Sequence, residues 1–126
     1  MADARRHLRG HASQAGGLAA ETIAARVLEA EGWAILARRL RTAAGEVDLV
    51  AEREGLLAIV EVKRRASLAE AAFALSARQR ARLLAAAEII LAEHPGWGRE
   101  GVRFDLLLVD GQGAVRRIAD AFRREA

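Results

Sequence analysis

The strongest constraint on the fold is a pair of β-patterns separated by a very short connection. Residues 46–52 (EVDLVAE) alternate along the chain, as expected for a strand with two distinct faces. Residues 56–63 (LLAIVEVK) are almost continuously apolar and rich in branched side chains, which indicates a central strand buried on both faces. Only the tripeptide REG separates the two segments, so we predict an antiparallel hairpin.

The register of this hairpin follows from the length of its loop. Pairing Glu52 with Leu57 closes a loop of four residues, which is an ordinary hairpin length. A slip by one residue would place the polar side chains of the two strands on opposite faces. With the predicted register they share one face, with Asp48 opposite Glu61 and Glu46 opposite Lys63.

The patterns around the hairpin predict an α/β fold, a mixed central sheet flanked by helices in the order α-β-β-β-α-β-β. Helical periodicity, apolar runs and turn residues define the other elements. These are a helix over residues 18–31 ended by Gly32, a strand over 33–42, a helix from the N-cap Ser76 through about Glu93, a strand over 102–110, and a last strand or strand-helix piece over 114–122.

The chain length of 126 residues predicts one folded domain, residues 16–126, preceded by a flexible basic arm, residues 1–15. Residues 67–74 are expected to form a loop or a short helical piece. No apolar run approaches the roughly 20 residues of a membrane span, and the N-terminus lacks a signal-like apolar region. Because the chain also has no cysteine, we expect a cytoplasmic protein without membrane contact.

Two acids on opposed strand positions predict a cation site. Directly opposed side chains have Cβ atoms about 4.5–5.5 Å apart, so Asp48 and Glu61 would repel each other unless a cation lay between them. Magnesium accepts oxygen ligands and commonly uses one or two carboxylates together with water and substrate phosphate. We therefore expect Mg²⁺, or Mn²⁺, at this pair. The alternative is a solvated ion pair, the most frequent meaning of a bare Glu-X-Lys on a strand.

A single lysine adjoins these acids. Of the 20 basic residues, Lys63 is the one lysine and all the others are arginine. An ammonium beside a metal can hold an attacking water or stabilise charge that develops on a phosphate. Lysine can also lose its proton near neutral pH when it is desolvated, whereas arginine cannot.

The ordered motifs GEVDLV and LAIVEVKRR resemble the metal-binding core of the PD-(D/E)XK nucleases, the restriction-endonuclease-like superfamily. The chain after residue 16 is more closely similar to the YraN-like family of small bacterial proteins, through segments such as ETIAARVLEAEGWAILARRLRT, ALSARQRARLLAAAEIIL and VRFDLLLV. The superfamily's Pro-Asp is absent, because Val47 precedes Asp48, but no ligand is lost by that change.

The resemblance implies a fold like that of Holliday junction resolvases and tRNA-splicing endonucleases. It implies that Asp48 and Glu61 are metal ligands and that Lys63 is the catalytic cation. It also implies that Glu21 approaches the metal from the first helix, although Glu21 also fits an ordinary exposed helix acid. Glu46 is expected to be an outer ligand or an ion-pair partner of Lys63.

Clusters of arginine beside these motifs predict contacts with a phosphodiester backbone. Such contacts bind the phosphates by charge and do not recognise the base sequence. A solvated basic surface is the alternative. The predicted nucleic-acid contacts are Arg41, Arg64, Arg65, Arg78 and Arg82, and the resemblance to the nucleases implies Gln79, early in the long helix, as a further one. Two other features are expected to be structural: Trp33 and Trp97 as packing residues, and Asp105 as an acid paired with an arginine.

These features favour a metal-dependent endonuclease that hydrolyses phosphodiester bonds, with DNA as the favoured substrate and selectivity for its structure. One alternative is a nucleic-acid-binding module that retains the site without turnover. Another is a small interaction protein in which the acids and the lysine form a buried ion network. Analogy with nucleases that cut two strands as dimers raises a homodimer as a candidate assembly.

Overall fold

The structure, a computed structural model, describes residues 19–65 and 75–122, the last three by their backbone alone. The predicted arm, residues 1–15, and the connection over 67–74 lie outside the described residues. The predicted order of elements is confirmed. In chain order they are α1 (residues 19–30), β1 (Ala34–Thr42), β2 (Gly45–Arg53), β3 (Leu56–Arg64), α2 (Ala77–Glu93), β4 (Gly101–Val109) and β5 (Val115–Phe122).

The five strands form one mixed sheet in the spatial order β1-β2-β3-β4-β5. All neighbouring pairs are antiparallel except β3 and β4, which are parallel. A parallel pair needs a crossover connection, and α2 lies in the segment that joins these two strands. The sheet is therefore a meander of three strands, a helical crossover and a final hairpin.

Both faces of the sheet are buried, which explains the continuous apolar run of β3. On the face that α1 covers, the core side chains include Leu28, Leu49, Val60 and Leu107. On the face that α2 covers, they include Val50, Leu57, Ile59, Leu83 and Ile90. Successive residues of β3 thus alternate between two separate cores, and the prediction of a central strand is confirmed.

The predicted register of the β2–β3 hairpin is confirmed from Glu52 opposite Leu57 to Leu49 opposite Val60. The predicted pairs Asp48–Glu61 and Glu46–Lys63 lie beyond the last paired residues. Towards the turn, the pairing extends one step further, to Arg53 opposite Leu56, so the loop contains two residues rather than four. Glu54 and Gly55 form it with φ values of 52° and 82°. Positive φ at both central residues is the geometry of a type I′ turn, whose twist matches that of antiparallel strands.

The helices end where their sequences predict. Gly32, with φ 92°, follows α1 and donates its backbone N–H to the carbonyl of Glu29 at 3.0 Å. Ser76 is the N-cap of α2 and forms a capping box with Gln79, and His94 is the C-cap. Among the described helices, neither is long and apolar enough to cross a membrane.

Trp33 is buried and is surrounded by arginines, which confirms its predicted packing role. The guanidinium carbons of Arg53, Arg103 and Arg117 lie 4.7, 4.8 and 5.7 Å from its ring centroid. Asp105, only 2% exposed, pairs with Arg103 at 3.0 Å and with Arg117 at 3.3 Å. The predicted structural acid therefore neutralises two of the three cations that contact the tryptophan.

Replacing Asp105 by asparagine tests this role. Asp105→Asn keeps the shape but leaves two partly buried guanidiniums without their shared counter-charge, so we expect a loss of about 3 kcal/mol in unfolding free energy, measured in urea. The matched control is Asp110→Asn, because Asp110 Oδ1 accepts turn N–H groups from Gln112 and Ala114 and asparagine can accept them too. Equal losses in the two variants would contradict the proposed charge neutralisation.

Candidate active site

The candidate site forms where the ladder between β2 and β3 ends. The paired register runs from the turn as far as Leu49 opposite Val60. The same register continued would place Val62 opposite Val47. Instead, the backbone N–H of Val62 donates to Oδ2 of Asp48 at 2.8 Å. A side-chain oxygen thus replaces a strand carbonyl, so the two strands part while the buried donor remains satisfied.

The parted strands bring the two predicted acids together. Glu61 is 4% exposed, and its carboxyl group lies within hydrogen-bonding reach of Asp48. Burial raises the pKa of Glu61 to about 7, and the hydrogen bond and negative charge of Asp48 act in the same direction. The charges of Lys63 and Arg82 oppose this increase in the pKa without cancelling it. The pair therefore holds a proton near neutral pH, in a position suited to a cation.

Lys63 lies beside this pair. Its Nζ is 3.5 Å from Oε2 of Glu61, and its side chain is 18% exposed. The lone lysine of the chain is therefore held beside the acid pair, with its side chain partly open to solvent. Three rotatable N–H donors on a compact cation allow it to contact a carboxylate and a second acceptor at once.

Arg82, one of the predicted nucleic-acid contacts, also contacts Glu61. Its Nη2 lies 3.0 Å from Oε2 of Glu61, and its Nη1 donates to the backbone carbonyl of Glu46 at 2.6 Å. The guanidinium is directed inward because the backbone at Gly45 approaches it closely. A Cβ at Gly45 would lie 2.9 Å from Cδ of Arg82. The sequence offers no local signal that separates Arg82 from its neighbouring arginines.

Glu21 reaches the same region from α1. Burial raises its pKa, and the negative charges of Asp48 and Glu46 contribute to the increase. Arg39 and Arg38 act in the opposite direction. Glu21 therefore lies within electrostatic range of Asp48, as expected for an acid that approaches the site from the first helix.

Glu46 points to arginines of the neighbouring strand rather than to Lys63. Its carboxylate lies 3.3 Å from Nε of Arg39 and 3.7 Å from Nε of Arg41. The predicted ion pair between Glu46 and Lys63 is replaced by these contacts, because Arg41 is the β1 partner of Glu46 in the register. Glu46 thus connects the basic edge strand to the acidic site.

The other predicted nucleic-acid contacts occupy different environments. The side chain of Arg41 is 89% exposed, and Arg78 is exposed near the start of α2. Arg64 and Arg65 are partly buried, and Nη1 of Arg65 donates to the carbonyl of Arg64 at 2.8 Å. Gln79 is engaged locally, since its Oε1 accepts the backbone N–H of Ser76 at 2.9 Å. The capping bond gives the side chain of Gln79 a structural role at the start of α2.

The two carboxylates fit a hard divalent cation whose remaining ligands are water and substrate oxygens. Asp48 and Glu61 supply carboxylate oxygens from adjacent strands, and burial together with the hydrogen bond and charge of Asp48 raises the pKa of Glu61. Within residues 19–65 and 75–122, no group of three or more ligating side chains is arranged to hold a metal. Two carboxylates suffice for Mg²⁺ when water and phosphate complete its shell.

Comparison with known proteins agrees with the resemblance to the YraN-like family. The family model described as "Uncharacterised protein family UPF0102" matches residues 20–109. A UPF0102 protein of Granulibacter bethesdensis is 64% identical over 92% of this chain and 73% of its own length. One from Azorhizobium caulinodans is 54% identical over 93% and 89%, and one from Rhodopseudomonas palustris is 47% identical over 84% and 82%. The chain belongs to the UPF0102, or YraN-like, family.

Proposed function

We propose that this protein is a metal-dependent endonuclease that hydrolyses phosphodiester bonds. The observation that carries the proposal is the meeting of Asp48 and Glu61 at the parted ends of two strands, with the ammonium of Lys63 3.5 Å from the Glu61 carboxylate. Two acids and one amine in this order are the core of the PD-(D/E)XK nucleases, which the sequence resembles. That resemblance, with its likeness to Holliday junction resolvases, favours DNA with a branched or otherwise distorted structure.

Each part of the site has a distinct chemical task in this hydrolysis. When bound at the acid pair, a divalent cation supplies a water of lowered pKa and charge stabilisation at the phosphate. Asp48 and Glu61 hold that cation against the strand ends. Lys63 donates a hydrogen bond to the attacking water or to the non-bridging oxygen on which charge develops. Water adds to phosphorus and gives up a proton, the bond to the leaving oxygen breaks, and that oxygen takes up a proton from solvent.

The basic strand β1 offers a path for the nucleic-acid backbone. It is an edge strand, and Arg38, Arg39 and Arg41 are exposed along it. Glu46 links this strand to the acidic site through two of these arginines. Guanidinium groups bind phosphate by charge and paired donors, so the strand would position a backbone without selecting its bases.

A second candidate function is binding to nucleic acid without cleavage. One observation favours it: among the described residues, the acids form a pair rather than a group of three ligands. In that case the exposed arginines would give affinity, and the Glu61 network with Lys63 and Arg82 would serve the fold. A screen of branched, single-stranded and duplex DNA and RNA with Mg²⁺ or Mn²⁺ distinguishes the two functions.

Replacing Lys63 tests its catalytic role. Lys63→Ala should reduce cleavage at least about 100-fold, because a donor aimed at developing charge is lost, while backbone binding stays nearly unchanged. Lys63→Arg keeps the charge but not the compact ammonium, and we expect it to remain strongly impaired. Cleavage rates and equilibrium binding are measured on the same labelled substrate.

Asp48→Asn is the companion variant for this test. It should also abolish cleavage, but through weaker metal binding, so its Mg²⁺ titration should differ from that of Lys63→Ala. Loss of binding in step with cleavage in Lys63→Ala would argue against a catalytic lysine. Full activity in Lys63→Arg would show that the ammonium has no special role.

The raised pKa of Glu61 predicts a pH-dependent response to metal. The folded protein binds this proton more tightly than the unfolded chain, whose ordinary value is 4.5. Its stabilising contribution is therefore complete below that value and is lost as pH rises through about 7. The loss amounts to at most about 3 kcal/mol in unfolding free energy. Mg²⁺ should restore this unfolding free energy at pH 8. It should have little effect on stability at pH 5.5, where Mg²⁺ must displace the proton on Glu61.

Thermal and urea unfolding at the two pH values measure this response, with Glu61→Gln as the control. The variant lacks the titrating group, so the difference between the wild-type and variant pH profiles isolates Glu61 from other acids. Identical profiles, or equal stabilisation by Mg²⁺ at both pH values, would contradict the assignment of Glu61 to the cation site.

The edge strand makes a separate prediction about salt. Arg41→Ala should weaken binding similarly for all base sequences and reduce the slope of log affinity against log salt by about 1, as expected for one lost phosphate contact. Arg26→Ala is the control, because Arg26 is exposed on α1. A sequence-dependent loss in Arg41→Ala would indicate base contacts instead.

A further inference from the structure

We propose that Arg82 is a positioning residue that sets the divalent-cation affinity of the site by clamping the parted ends of β2 and β3. This inference rests on the proposed metal site but concerns a residue outside its ligands. It assigns to Arg82 a role in holding the site, in place of the phosphate contact expected from its arginine-rich surroundings. The clamp replaces strand pairing at the point where the ladder stops.

The first support is that Arg82 bridges both strands. One terminal nitrogen donates to the carbonyl of Glu46 on β2 at 2.6 Å, and the other contacts the carboxylate of Glu61 on β3 at 3.0 Å. The last strand pair before the site is Leu49 opposite Val60. The guanidinium therefore ties the two strands together beyond the last pair. Its planar fork fixes the angle as well as the distance between these contacts.

The second support is that the clamp is held rigidly on α2. Leu83, Ala86 and Ile90 of this helix are buried in the core beneath the sheet. The stem of Arg82 passes so close to Gly45 that a Cβ there would lie 2.9 Å from Cδ and 3.3 Å from Nη1. Gly45 has φ 133°, so its conformation and its lack of a side chain both make room for the stem.

The third support is that the guanidinium is already engaged in two directions. A phosphate contact through Nη1 or Nη2 would compete with the bonds to Glu46 and Glu61. Keeping those bonds leaves the carboxylate of Glu61 at a fixed place relative to Asp48. Hydrogen bonds that orient metal-ligating carboxylates typically change metal affinity about 10- to 100-fold when they are removed.

The test uses Arg82→Lys, which keeps the positive charge and removes the fork. A lysine can contact Glu61 or the Glu46 carbonyl but does not reproduce both bonds in one plane. We expect the Mg²⁺ dissociation constant, measured by calorimetry, to rise about tenfold. Because charge is conserved, this change reports geometry rather than electrostatic repulsion of the cation.

A second readout needs no metal. The N–H of Val62 donates to Asp48 at the parted strand ends, so its exchange with solvent reports how firmly those ends are held. In the metal-free protein, Arg82→Lys should speed this exchange at least about tenfold, measured by NMR, while amides of Val60 and Leu107 in the core are unchanged. The matched control is Arg80→Lys, because Arg80 is exposed on the same helix and donates to the carbonyl of Leu75. It should change neither exchange at Val62 nor Mg²⁺ affinity.

Cleavage provides a third readout. Saturating Mg²⁺ should restore most of the turnover of Arg82→Lys, and its KM for nucleic acid should stay near the wild-type value. A raised KM that Mg²⁺ does not restore would overturn the clamp in favour of a phosphate contact. Unchanged Val62 exchange, or faster exchange with unchanged Mg²⁺ affinity, would also overturn it.

Failure of the metal site itself gives a different pattern. If the wild-type protein binds neither Mg²⁺ nor Mn²⁺, the proposed nuclease site is wrong and the clamp cannot set an affinity. Faster Val62 exchange in Arg82→Lys would then still identify a bridge between the strands, one that serves the fold alone. The exchange and calorimetric measurements therefore separate failure of the clamp from failure of the proposed function.

Discussion

The candidate site depends on one hydrogen bond, from the backbone N–H of Val62 to the carboxylate of Asp48. Strands can part inside a sheet only if the backbone groups they release find new partners. Asp48 supplies that partner from its own side chain, so the ladder ends without leaving a buried donor unsatisfied. The same bond fixes the carboxylate against the next strand, where it meets Glu61. Sheet geometry and site geometry are thus set by a single interaction.

The two cations beside Glu61 differ in ways that suit their positions. Arg82 makes two bonds in fixed directions, to Glu61 and to the Glu46 carbonyl, which a planar fork satisfies and an ammonium does not. Lys63 makes one contact to Glu61 and keeps part of its surface open. A compact donor with rotational freedom suits a position where a second acceptor is expected. Because every other basic residue of the chain is arginine, this contrast supports separate tasks for Lys63 and Arg82.

The sequence predicted those parts of the site that depend on local rules. Strand periodicity and the short REG connection were enough to give the register as far as Leu49 opposite Val60 and to bring Asp48 near Glu61. The N-cap Ser76 likewise followed from residue type and position. The parting of the strands and the inward turn of Arg82 were not predictable in this way, because each depends on a contact between residues far apart in the chain. The capping bond between Gln79 and Ser76, by contrast, joins residues only three apart, and the predicted nucleic-acid contact of Gln79 stays a prediction.

The two buried acids of the central strands show why the site is a better candidate for function than for stability. Asp105 on β4 lies beside Val60 in the register, one residue before Glu61 on β3. Two guanidiniums neutralise Asp105, and its side chain is fully covered, as expected for an acid that serves the fold. Glu61 also contacts two cations, yet burial raises its pKa, and the hydrogen bond and charge of the adjacent Asp48 add to the increase. An acid that serves only an ion pair needs no second carboxyl group beside it, and a pKa raised towards neutral by burial and by such a neighbour is typical of functional sites.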